Sequence, residues 1–140
     1  MTWLYDSHIH LSDTEYEHEI PLIMNCMKRL SIKACCVSMD YSSSIKTLEL
    51  GKQSDLVLPF IGMHPEKAQD DTESVFKLID ENNETISGIG EIGLDTTYTN
   101  SDEEFQKQEE VFKTQLSYAE KFGKPVSIHS RKTLDQILEI

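Results

Sequence analysis

Five short apolar runs, each followed by a stretch with helical spacing, restrict the fold of this chain more than any other feature. The runs are Trp3 to His10, Lys33 to Ser38, Leu56 to Gly62, Ile86 to Gly90 and Pro125 to His129. Between them apolar residues recur at three- and four-residue intervals: Ile20, Ile23, Cys26, Met27 and Leu30; Ile45, Leu48 and Leu50; then Val75, Leu78 and Ile79. The longest such face is Phe105, Gln108, Phe112, Gln115, Leu116 and Ala119. It ends at Gly123, a residue suited to the left-handed turn that closes a helix. A further helix is expected from Thr133. Buried strands alternating with helices imply an α/β protein with a parallel sheet and right-handed crossovers. Pro21 is tolerated only near a helix start, and the serines at 42–44 can cap the second helix.

The 140 residues suffice for one domain with a core, and no linker or low-complexity tract divides them. No run approaches the ~20 apolar residues of a membrane span, and no signal sequence opens the chain, so a cytosolic protein without a membrane partner is expected. Three cysteines, two of them adjacent, make a poor disulfide framework and no metal-binding spacing; they read as buried small hydrophobes. A formal charge of −12 argues against binding nucleic acid as a polyelectrolyte, because that affinity comes from Lys and Arg neutralising phosphates. If the protein handles phosphodiesters, the positive charge has to come from bound metal.

Chemistry in open and closed parallel sheets gathers at the C-terminal ends of strands. Here the ends of runs one, three, four and five carry His8 and His10, His64, Glu91 and His129. His8 and His10 point to the same side of an extended chain, since side chains alternate. Two imidazoles and a carboxylate are a known three-ligand catalytic zinc set with a position left for water. Glu91 has two oxygens and could bridge a second ion, with His129 on the far side. Ions ~3.5–4 Å apart form the clamp used in phosphodiester and peptide hydrolysis.

Other residues leave two readings open. His64 either faces substrate or is a loop histidine before Pro65. Arg131 either grips a phosphate bidentately or lies at the surface of a helix start. Asp95 either caps a turn or contacts substrate, and Asp6 could support a ligand histidine. His18, among Glu15, Glu17 and Glu19, reads as surface. Gly88-Ile89-Gly90-Glu91-Ile92-Gly93 matches the dinucleotide fingerprint, but no helix is expected at once after it and Glu91 would face the phosphates, so no dinucleotide is expected.

Asp6-Ser7-His8-Ile9-His10, Gly62-Met63-His64-Pro65, Gly90-Glu91-Ile92-Gly93-Leu94-Asp95 and Ile128-His129-Ser130-Arg131 together resemble the TatD family of metal-dependent hydrolases. The resemblance covers the whole chain. It implies an amidohydrolase-like (β/α)8 barrel of which residues 1–140 hold about five of eight units, the C-terminal part of the domain being missing. It also implies a deoxyribonuclease with two divalent ions (Zn, Mg or Mn) and DNA as substrate. His8 and His10 would hold one ion, His129 would help hold the other, and Glu91 would be the catalytic, bridging carboxylate. His64 and Arg131 would face the substrate phosphate. Family members draw a further histidine from strand six and an aspartate from strand eight, which this chain lacks, so weak activity and loose metal binding are expected. Open outer strands invite self-association. Two alternatives are a hydrolase of the same superfamily acting on a non-nucleic substrate, and a non-catalytic remnant that binds a partner through its strand edges.

Overall fold

The computed structural model describes residues 2–140. Five strands, β1 (Leu4–Ile9), β2 (Ile32–Cys36), β3 (Val57–Ile61), β4 (Gly88–Asp95) and β5 (Val126–Arg131), pair in parallel in chain order. Helices α1 (Ile20–Leu30), α2 (Tyr41–Gln53), α3 (Thr72–Glu81) and α4 (Asp102–Phe122) connect them, and α5 (Leu134–Glu139) follows β5. Three 3-10 turns, Thr14–Tyr16, Pro65–Lys67 and Thr96–Tyr98, follow the ends of β1, β3 and β4.

The sheet is rolled. Flat, it would hold β1 and β5 about 19 Å apart, four inter-strand spacings. Instead the His8 ring on β1 and the Ser127 hydroxyl on β5 meet at 3.0 Å. This is part of a TIM-type barrel wall, with strand C-terminal ends at one rim. Helices α2, α3 and α4 pack on the outside of β3 and β4 around Ile61, Ile79, Ile89, Leu94 and Phe112, all nearly or wholly excluded from solvent. A smaller cluster built on Leu11, Met27, Cys36 and Leu56 fills the space around α1 and β2.

Local chemistry accounts for the helix ends. Asp40 caps α2 by accepting the Ser43 backbone N–H at 2.8 Å, and the Ser43 hydroxyl accepts from the Asp40 N–H in return. The cap is thus an aspartate with a serine partner, not a serine as expected. Ser101 caps α4, whose first turn holds Asp102, Glu103 and Glu104 against the positive end of the helix dipole. Gly123 closes it with φ of 61°.

Four expectations need correction. The first apolar run is a strand but not a buried one: Leu4 through His8 are all exposed, because β1 pairs only with β2 among the described residues. The fourth strand does not stop at Gly90 but carries the whole glycine-rich motif to Asp95, with a register shift between Ile89 and Ile92. Thr96–Tyr98, where no helix is expected at once after the glycine-rich motif, is a 3-10 turn. Of the cysteines only Cys36 is buried; Cys35 is half-buried and Cys26 exposed. No helix among the described residues is long and apolar enough to cross a membrane.

Candidate metal centre

At the end of β1 the Asp6 carboxylate accepts the His8 backbone N–H at 3.0 Å, and the register shifts between Asp6 and Ile9. Asp6 therefore shapes the backbone that carries the histidines and does not touch their rings. Beyond it, Nε2 of His8 and Nε2 of His10 lie 3.2 Å apart. Oε2 of Glu91, from β4, is 3.4 Å from the first and 3.2 Å from the second. These atoms form a nearly equilateral triangle. Ligands of a tetrahedral ion with bonds of 2.0–2.1 Å are themselves separated by roughly 3.3–3.4 Å. The triangle thus has the dimensions of one face of such a tetrahedron, and the residues present fit a divalent ion.

The other oxygen of Glu91 looks the opposite way. Its Oε1 is 2.9 Å from Nδ1 of His129 on β5 and 4.0 Å from Nε2 of His64. His64, Glu91 and His129 form a second group close enough to share an ion. His64 is the weak member of it. Its Nδ1 accepts the Glu66 backbone N–H at 3.2 Å, so in the neutral ring the proton sits on Nε2 and leaves no lone pair there. Burial pushes the His64 pKa down to about 4, so the neutral ring is the form present near pH 7. His64 is thereby a neutral N–H donor aimed at the rim.

His129 is held from both sides, by Glu91 at Nδ1 and by Oδ2 of Asp95 at 2.8 Å from Nε2. Asp95 has no exposed surface, and its other oxygen accepts the Thr97 backbone N–H at 2.8 Å and the Thr97 hydroxyl at 2.6 Å. It caps the turn and orients His129, which leaves no free oxygen for substrate. Burial raises the Asp95 carboxyl, but the bonds from Thr97 and His129 outweigh that and hold it below its ordinary value. Burial likewise pushes Glu91 up; the hydrogen bond with His10 and the charges of the histidines prevail and bring it to about 2. The same bond raises His10 above its ordinary value against the opposing effect of burial.

Five of the expected site residues, His8, His10, His64, Glu91 and His129, therefore converge at one rim. Arg131 lies at that rim too, exposed, in register with Asp95, and without an ion pair among the described residues. His18 is exposed and belongs to neither group.

Several supports were not legible as such. Ser127 places its hydroxyl 3.0 Å from Nδ1 of His8. Ser38, fully buried at the end of β2, exchanges backbone bonds with Gly90 and Glu91, and its hydroxyl reaches Phe60 O and Gly62 N–H. From α4, Gln115 bonds both N–H and C=O of Met63, and Gln108 does the same for Asp95 while also reaching Pro65 O. These two buried amides fix the backbone on either side of His64 and at Asp95. The signal available was two glutamines, seven residues apart, on an otherwise apolar helix face.

Among curated relatives, an uncharacterized metal-dependent hydrolase of Methanocaldococcus jannaschii (MJ1582) is 31% identical over 138 residues, covering 96% of this chain and 53% of that protein. The human deoxyribonuclease TATDN3 is 26% identical over 142 residues, covering 91% of this chain and 52% of its own length. The crystal structure of YJJV, a TatD homolog from Escherichia coli, superposes with a TM-score of 0.84 at 20% identity, covering 97% of this chain and 54% of that one, a likeness of fold. The chain spans about half the length of the relatives it matches. The family described as TatD related DNase matches residues 5–140. With a match of that extent, the chain belongs to the TatD-related DNase family of metal-dependent hydrolases.

Proposed function

We propose that this chain contributes a dinuclear metal centre to the hydrolysis of phosphodiester bonds in DNA. The observation that supports it is the division of one carboxylate: Oε2 of Glu91 completes a triangle with His8 and His10, and Oε1 faces His129. His8, His10 and Glu91 would hold the first ion, and Glu91 with His129 the second, the two ligands this reading takes from the described residues. When bound, such ions (Zn, Mg or Mn) supply Lewis acidity, polarising a phosphoryl oxygen and lowering the pKa of water toward neutrality. They also supply the positive charge that a chain of net charge −12 otherwise lacks for an anionic substrate.

The chain's own groups divide the remaining work. The Nε2–H of His64 donates to a phosphoryl oxygen, and Arg131 at the rim offers a planar pair of N–H groups to the same phosphate. Asp95 keeps the His129 ring in place, so that Nδ1 and not Nε2 faces Glu91. The human relative's name, deoxyribonuclease, supports DNA as the substrate class. The exposed outer strands, with Leu4, Tyr5 and Ile128 standing out of the sheet, support self-association as well.

The test is release of mononucleotides from single-stranded DNA by the purified chain in Mn or Zn. Hydrolysis abolished by a chelator and by Glu91→Gln supports the proposal. Cleavage of amide or lactone substrates but not DNA would reassign the substrate. Metal-independent oligomers without any hydrolysis would favour a binding role instead.

A further inference from the structure

We infer that Ser127 is a positioning residue that fixes the tautomer of His8 and so sets the affinity of the first ion. The inference rests on the metal reading above and concerns a residue outside both ligand groups. A neutral imidazole carries one proton. His8 can lend a lone pair from Nε2 only when that proton sits on Nδ1. Nδ1 of His8 has one side-chain partner among the described residues, the Ser127 hydroxyl at 3.0 Å. The hydroxyl oxygen can accept the Nδ1–H bond, which selects the ligating tautomer and locks the ring's orientation.

The serine is held for this from behind. Gly90 of β4 lies against it, and a Cβ at position 90 would fall 2.7 Å from the Ser127 Cβ. The absence of a side chain at 90, next to Glu91 in sequence, lets β5 press its serine close to β4. The hydroxyl is then carried across the interior of the rolled sheet to β1. The need is greatest at His8. Its side chain is 39% exposed against 25% for His10, and Oε2 of Glu91 sits farther from it, at 3.4 Å rather than 3.2 Å. The ligand least confined by its surroundings is the one that carries a dedicated partner.

A purely structural role would make Ser127 a tie between the first and last strands. The two roles separate on different readouts. Titration of the metal-free chain with zinc alone, followed by calorimetry, should show Ser127→Ala binding the tighter ion roughly 10–100-fold more weakly. The metal-free melting temperature should stay unchanged, and Ser127→Thr, which restores the hydroxyl, should recover the affinity. Equal zinc affinity in Ser127→Ala overturns the inference. So does a loss that tracks a lower metal-free melting temperature and is not recovered by threonine. An independent measurement needs no variant: long-range 1H–15N spectra of the zinc-loaded parent should show the His8 proton on Nδ1. A proton on Nε2 overturns the assignment whatever the variants do. If the parent binds no zinc at the His8–His10–Glu91 triangle, the metal reading falls and this inference with it; if the parent binds and only the serine is indifferent, the inference alone falls.

Discussion

Oδ2 of Asp95 lies 2.8 Å from Nε2 of His129, and the carboxylate that makes this contact has no exposed surface. A carboxylate, a histidine ring and a second acidic group on its far nitrogen form a relay in which the outer acid decides which nitrogen of the ring is free. Asp95→Asn keeps the shape and the turn cap but presents an amide that can donate to Nε2 and favour the wrong tautomer. Hydrolysis of single-stranded DNA is expected to fall roughly 10–100-fold, with zinc affinity at the His8–His10–Glu91 triangle retained. Calorimetry beside a turnover assay separates the two; loss of the tighter ion would show that Asp95 acts elsewhere.

His64 is the residue on which grouping by distance and the hydrogen-bond pattern part company. It is near enough to Glu91 and His129 to be a ligand, yet its Nδ1 is occupied by the Glu66 N–H and its Nε2 bears the proton. His64→Ala should therefore lower kcat/KM on DNA by about 10–100-fold, the cost of one donor to a charged oxygen, while both metal dissociation constants stay unchanged. His64→Gln should recover part of the loss. A weaker metal constant in His64→Ala would make it a ligand after all.

The clamp from α4 predicts a stability effect at a distance from the ions. Gln115→Met keeps the volume and removes both partners of Met63, leaving a buried N–H and C=O unpaired. At about 1–3 kcal/mol for each orphaned group, the cost should be about 2–6 kcal/mol. Urea unfolding of the metal-free chain measures it, and a change under about 1 kcal/mol would mean that water replaces the amide.

This contrast shows what the sequence made legible. Strand ends bearing His8, His10, His64, Glu91 and His129 stand out because ligand-type side chains rarely fall together at the close of apolar runs. The alternation of runs and helical faces fixed the element order for the same reason. Ser127 did not stand out, and the partners of Ser38 and Gln115 could not be read, since a serine or glutamine within an apolar pattern names no partner until the sheet is rolled. The exposure of β1 was hidden too: Leu4 and Tyr5 read as core residues, and only the pairing of the strand shows that one side of it is open.

Metal binding should depend on pH through His10. Glu91 raises the His10 pKa above 6.5, so the metal-free ring keeps its proton to higher pH than an ordinary histidine. That proton stabilises the metal-free fold fully below 6.5, and the contribution is lost as pH rises through the folded value. An incoming ion has to displace it. Apparent zinc affinity should therefore climb with pH through and beyond 6.5 before levelling, and the rise should shift to lower pH in Glu91→Gln once the weaker binding is allowed for. Affinity flat between pH 6 and 8 would contradict the pairing of His10 with Glu91.

The most direct measurement of the central claim is an anomalous difference map at the zinc edge from crystals of this chain grown with zinc. The account predicts a peak about 2.0–2.2 Å from Nε2 of His8, Nε2 of His10 and Oε2 of Glu91, with any second, weaker peak on the His129 side of the same carboxylate. Zinc bound away from Glu91, or no peak at the rim at millimolar metal, would contradict it.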